Sequence, residues 1–134
     1  MNITRNAVYD YIYDAVVAVY TTIYIAGAYE PVPKSMPAVF IEEISDLRNR
    51  ANMTFTGVQG VRTSTIEVQI VSGKLNGSLS EAYAILEVVR AACFSLGYNE
   101  TNVVPVENGT NGTNYRIRAS YRRVIGDSDA MPTT

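Results

Sequence analysis

Hydrophobic positions recur with two periods along this 134-residue chain, and the switches between them mark its elements. Between residues 6 and 23, Val8, Ile12, Ala15, Val16, Val19 and Ile23 return at helical spacing, which predicts a helix with one stripe toward a core. Tyr9, Tyr13 and Tyr20 lie beside that stripe, placed to pack against it or against a neighbouring subunit. The helix end is ambiguous, because "TTIYIAGA" also reads as a strand. "EPVPKSMP" then imposes an extended linker, since Pro31, Pro33 and Pro37 each lack an N–H and restrict the residue before them.

Residues 37–44, "PAVFIEEI", form a short apolar run with an acidic end and are predicted to be a strand, with Pro37 at its start. Polar "SDLRNRAN" is predicted to follow as a loop. Residues 53–73 read as one long strand, or two joined at Gly57 and Gly60, and the second half alternates cleanly. Ile66, Val68 and Ile70 take one face and Thr65, Glu67 and Gln69 the other. Ser78-Leu-Ser-Glu81 is a capping box opening a second helix, whose stripe is Ala82, Ile85, Leu86, Val89, Cys93 and Leu96 and whose stop is Gly97. "NVVPV", an Asn-Gly loop and the run to Ile125 predict a closing hairpin, with Pro105 assigning its first strand to a sheet edge.

This order predicts an α+β fold: an antiparallel-rich, mixed β-sheet, two main helices packed on one face, and an edge hairpin at the C-terminus. Residues 1–126 are expected to form a single domain, and residues 127–134, which lack periodicity, a flexible tail.

Composition narrows the chemistry. Hydrophobic residues make up 47% and charged residues 18%, enough apolar material for a folded core. A formal net charge of −2, from 11 basic and 13 acidic residues, argues against a surface adapted throughout to nucleic acid or anionic membrane, while leaving room for a local basic patch. With no His and one Cys, His-based acid–base chemistry, Ser-His or Cys-His nucleophile pairs and nearly all zinc sites are excluded. Cys93 sits on a helix stripe and reads as a small buried hydrophobe. Glu42 and Glu43 are adjacent in a strand, so they face opposite ways and cannot share a substrate. "TGVQGV" lacks the Lys-Ser/Thr of a phosphate loop. No enzymatic activity, cofactor or metal is expected.

Asn-x-Ser/Thr patterns begin at Asn2, Asn52, Asn76, Asn99, Asn108 and Asn111, but Asp10 and Asp14 interrupt the start of the chain where a secretion signal would lie, so no glycan is expected. The stretch from Tyr11 to Tyr29 carries Asp14, two threonines and several tyrosines, and reads as core-packed rather than membrane-spanning.

The last strand carries the candidate binding residues. Alternation sets Arg116, Arg118, Ser120 and Arg122 on one face against Tyr115, Ile117, Ala119 and Tyr121, with Arg123 following. Arg116, Arg118, Arg122 and Arg123 are candidates to face a polyanion, an acidic partner or solvent. Modules for single-stranded nucleic acid stack bases on aromatics beside such charges, whereas Tyr115 and Tyr121 point away. Ten tyrosines against three phenylalanines and no tryptophan favour a protein that assembles with others.

A helix, then "MPAVFIEEI", "TSTIEVQIVSG", "SEAYAILEVVRAACFSLGY" and "NYRIRASYRRVIG" resembles the tail-terminator, or tail-completion, proteins of long-tailed bacteriophages over residues 7–126. The resemblance rests on element order and pattern. It implies a virion protein without catalytic residues, assembled in the host cytoplasm and placed at the head-proximal end of the tail. It further implies a self-associating ring, usually six-fold, that caps the major tail tube protein, stops its polymerisation and offers a surface to the head connector. Candidate interface loops are then "RANMTFTGVQGVRT" with its flank, which carries Arg48, Arg50, Gln59 and Arg62, and the Asn-Gly loop with Asn108 and Asn111. The arginine face would either line a lumen through which DNA passes or meet acids of an adjacent subunit. A small nucleic-acid-binding module and an adaptor for another partner are the competing readings.

Overall fold

The computed structural model describes residues 4–28, 35–48, 61–73, 78–106, 115–126 and 131. Arg50, Gln59, Asn108 and Asn111, four of the residues assigned to interface loops, lie outside the described residues.

The first helix, α1 (Arg5–Val19), starts at Thr4, whose side-chain oxygen accepts from the Ala7 backbone N–H at 3.1 Å. That cap satisfies a donor the helix itself leaves unpaired. Val8, Ile12 and Val16 are buried along one line of the helix, as the stripe predicted. The helix stops earlier than residue 23, with Tyr20 as its C-cap and Val19 58% exposed. After a turn at Thr21 and Thr22 the chain enters β1 (Tyr24–Ala26), which pairs in parallel with β2 (Ala38–Arg48). The strand reading of this ambiguous stretch holds for residues 24–26, whose backbone pairs with residues 38–40.

Strand β2 runs past the expected end at Ile44 and includes residues 45–48 of the predicted loop. A bulge between Glu43 and Ser45 takes Ile44 out of the pairing with β3 (Val61–Ser72) and leaves it 52% exposed. Pairing then resumes as far as Arg48 opposite Arg62. Backbone hydrogen bonding needs no apolar side chains, so the polar composition of this segment did not end the strand.

Helix α2 (Ser78–Ser95) follows, and then β4 (Asn99–Val106) and β5 (Tyr115–Gly126). The five strands have the order β1-β2-β3-β5-β4, antiparallel except for the β1–β2 pair. β4 is the edge strand of the closing hairpin, which suits Pro105, and β5 is inserted between β3 and β4. One core joins α1 and α2 to a single face of this sheet, with Ile66, Val68 and Ile70 of β3 beside Ile117, Ala119 and Tyr121 of β5. Met131, within the stretch expected to be a free tail, packs against the same core. A smaller cluster of Ala38, Phe40 and Val71, flanked by Tyr24 and Ala26, lies apart from it. Strand alternation assigns that cluster to the opposite face, here called the bare face. Among the described residues no helix is long and apolar enough to cross a membrane.

The end of α2 sets where β4 begins. Tyr98 N–H donates to the Cys93 carbonyl at 2.9 Å and Gly97 N–H to the Phe94 carbonyl at 3.0 Å, a Schellman closure with Gly97 at φ +81°. A Cβ at Gly97 would stand 3.1 Å from the Arg123 guanidinium, whose Nη1 donates to the Leu96 carbonyl. Gly97→Ala is therefore expected to lose about 1–2 kcal/mol from left-handed backbone strain, with crowding of Arg123 on top. Chemical unfolding of the variant checks this, and a variant as stable as the native chain would refute the strained closure.

Candidate functional site: an arginine-bearing sheet face and an acidic helical groove

The register of β5 separates the four candidate arginines. Arg116 lies opposite Val71 and Val106 and is 5% exposed. Its Nη1 donates to Gln69 Oε1 at 3.1 Å, and Gln69 Nε2 donates in turn to Glu67 Oε1 at 3.0 Å. Arg116 thus serves the sheet's internal hydrogen bonding. Arg123 faces the helices, where it satisfies the Leu96 carbonyl at the negative end of α2. Only Arg118 and Arg122 are exposed on the bare face, separated by half-buried Ser120. Neither makes an ion pair among the described residues. The expected four-arginine surface is therefore an arginine pair. Arg48 and Arg62 are placed by their backbones alone, opposite each other at the end of the β2–β3 pair.

The bare face is not uniformly basic. Glu42 of β2 lies directly opposite Glu67 of β3, and Glu67 lies opposite Ser120, between the two exposed arginines. Adjacent strands are about 4.8 Å apart, so a carboxylate pair stands within one or two strand spacings of Arg118 and Arg122. A phosphate backbone laid across this face would meet both signs of charge, which weakens the nucleic-acid reading. Glu42 and Glu43 do face opposite ways, and Glu43 instead accepts from Ser64 Oγ at 2.7 Å.

On the other side of the molecule α1 and α2 leave a groove of about 630 Å³ between them. It is lined by Ala15, Val88, Ala91 and Ala92, by Tyr11 and Ser95, and by the acidic Asp14 and Glu87. Asp10 lies one turn before Asp14 on α1. Asp10 and Asp14 have no ion-pair partner among the described residues, whereas Glu87 pairs with Arg90. Sequence reading missed this groove. The signal available to it was the run of acidic positions on α1 outside the stripe, together with alanines at 91 and 92.

Two polar networks hold these surfaces in place. Tyr98 Oη donates to Ser64 Oγ at 2.9 Å in the interior, and Ser64 passes the chain on to Glu43. Glu100 receives Arg90 through two nitrogens, at 2.9 and 3.2 Å, and the buried Tyr121 hydroxyl at 3.0 Å. The bond to Glu100 is the main cause that raises the Arg90 guanidinium pKa. A bulge between Glu100 and Asn102 lets the β4 edge carry this carboxylate toward α2. Cys93, fully buried beside this network, has its thiol pKa pushed up first by desolvation and then by Glu100, which makes it a poor nucleophile.

Neither a family model nor a curated protein sequence matches the chain. Among solved structures it is similar to a chain of the virion of a native gene transfer agent particle, at 13% identity and a TM-score of 0.53, covering 88% of this chain and 93% of that one. It is also similar to the sheath/tube terminator of an extracellular contractile injection system in its extended state, at 13% identity and a TM-score of 0.42. That match covers 100% of this chain and 62% of the other. The first likeness establishes a shared fold over nearly the whole of both chains; the second is too distant to do so.

Proposed function

We propose that this protein is a non-enzymatic structural subunit of a phage-type particle, a tail-terminator-like protein that closes into a ring on the head-proximal end of the tail tube. The observation that carries this reading is the shared fold with a virion chain of a gene transfer agent, along nearly the full length of both. It agrees with the tail-terminator pattern of the sequence, from the first helix to the arginine-bearing last strand. The partners are further copies of itself in a ring, six-fold by resemblance, the major tail tube protein and a head-connector protein. Residues 1–126 act as one α+β domain.

Register supports a two-ended subunit. The strand ends joined by residues 49–60 lie where Arg48 meets Arg62 and Val61 meets Gly126. Those joined by residues 107–114 lie at the other end, where Ala38 meets Val71 and Val106 meets Arg116. One connection, bearing Arg50 and Gln59, serves the tube and the other, bearing Asn108 and Asn111, serves the head, or the reverse.

Co-expression with the tail tube protein of the same particle tests the reading. Negative-stain images are expected to show tubes capped at one end and shorter than tubes grown without this protein. Tubes of unchanged length with bare ends, at equal amounts of the two proteins, would sink it.

A further inference from the structure

We propose that the exposed arginine pair of one copy docks into the acidic groove between α1 and α2 of the next, and that this head-to-tail contact builds the ring. The inference rests on the structural-subunit reading and names the surfaces that join its copies. The two surfaces lie on opposite sides of the molecule, because the helices cover one face of the sheet and Arg118 and Arg122 stand on the other. A contact between unlike patches on opposite sides repeats from copy to copy, and it closes into a ring when the rotation per copy allows. A two-fold contact of one patch with itself would stop at a dimer.

Charge selects a second copy as the occupant. Among the described residues Arg118 and Arg122 make no ion pair, nor do Asp10 and Asp14. Among the described residues, cations without an ion pair thus stand on one face and anions without one on the other. Spacing agrees. Residues four apart in a strand are about 13 Å apart, enough to straddle two helices whose axes lie about 8–10 Å apart. One arginine then reaches Asp14 and the other Glu87, whose carboxylate already accepts from Arg90 but is 65% exposed and open to a second guanidinium, while Ser120 settles over the alanines of the lining. Small residues there let the strand approach closely. Guanidinium–carboxylate pairs withdrawn from bulk water add direction to such a contact. Glu42 and Glu67, beside the arginines, disfavour a long polyanion but leave room for two separately placed carboxylates.

Charge exchange tests the contact. One variant carries Arg118→Glu with Arg122→Glu, and a second carries Asp14→Arg with Glu87→Arg. Each alone is expected to lose rings, seen by mass photometry and by negative stain on tail tubes, while keeping the native circular dichroism spectrum. Mixing the two variants should restore rings, because each unlike surface again meets its complement, and combining all four substitutions in one chain should do the same. Rings from either variant alone, or no rescue on mixing, would overturn the interface while leaving the structural-subunit reading standing. If the arginine variant forms rings but loses retention of single-stranded DNA on filters, the pair faces nucleic acid instead. If the native chain forms no rings with or without tube protein, the reading beneath the interface fails, and the interface with it.

Discussion

Ile70→Ala is expected to lower the unfolding free energy by about 2–5 kcal/mol, the range for emptying a fully buried aliphatic site. Ile70 is 0% exposed, stands in the central strand β3, and lies opposite both Val39 of β2 and Ile117 of β5. Its side chain belongs to the core beneath the helices, so truncation removes contacts that no neighbour can replace without moving a strand. The matched control is Ile44→Ala. Ile44 is 52% exposed at the β2 bulge, and its truncation should change stability by no more than about 0.5 kcal/mol. Urea unfolding of both variants, with unchanged m-values, measures the contrast. Similar losses at the two sites would mean that the register of β2 against β3 differs from the one described.

That contrast also marks where sequence reading succeeds. Alternation in residues 65–70 is a local property of a strand with one wet face, so Ile66, Val68 and Ile70 were legible as core, as were Ile117 and Tyr121. The stop at Gly97 was legible for the same local reason, since a left-handed closing residue favours glycine. What escaped depends on partners distant in sequence. Nothing near Arg116 distinguishes it from Arg118. Gln69, a partner 47 residues away, engages the first, while the second remains in the open. Arg123 is claimed by the end of α2, and Glu42 meets Glu67 only because β2 pairs with β3 in this register. The insertion of β5 between β3 and β4 and the short parallel β1 are likewise set by long-range pairing.

The same dependence explains why the candidate surfaces were harder to read than the core. A core position needs only an apolar side chain at the right period, whereas an interface needs charges that the fold leaves unpaired. Of the arginines on β5, two are consumed inside the molecule and two are not, and the acidic groove exists only once α1 lies beside α2. The likeness to a virion chain shows the architecture, and the proposed ring contact draws on the division of charge between its two sides.

Stability is expected to fall steeply above pH 9, and the cause lies in the Cys93–Tyr121–Glu100 corner. Desolvation is the largest cause that raises the Cys93 thiol above its ordinary 9.0, followed by the charge of Glu100. Desolvation also dominates for the Tyr121 hydroxyl, raised above its ordinary 10.0, followed by Cys93, the hydrogen bond to Glu100 and that carboxylate's charge; Arg90 acts in the opposite sense. The folded chain therefore keeps two protons that the unfolded chain releases near pH 9 and pH 10. Where the unfolded state binds fewer protons, stability declines as pH rises, so the contribution is intact below pH 9 and lost progressively above it. Each group adds a slope of about 1.4 kcal/mol per pH unit once its unfolded form has titrated, and together they amount to about 4 kcal/mol by pH 11. Urea midpoints at pH 7, 9, 10 and 11 measure the decline, and a flat profile would refute it. Cys93→Ala should delay the onset from pH 9 to pH 10. Glu100→Gln leaves an amide oxygen to accept the Tyr121 hydroxyl, but removes the charge and one of the two oxygens that accept from Arg90. Since burial outranks charge for both groups, that variant should keep most of the alkaline slope while losing stability at pH 7, where Arg90 no longer has its carboxylate.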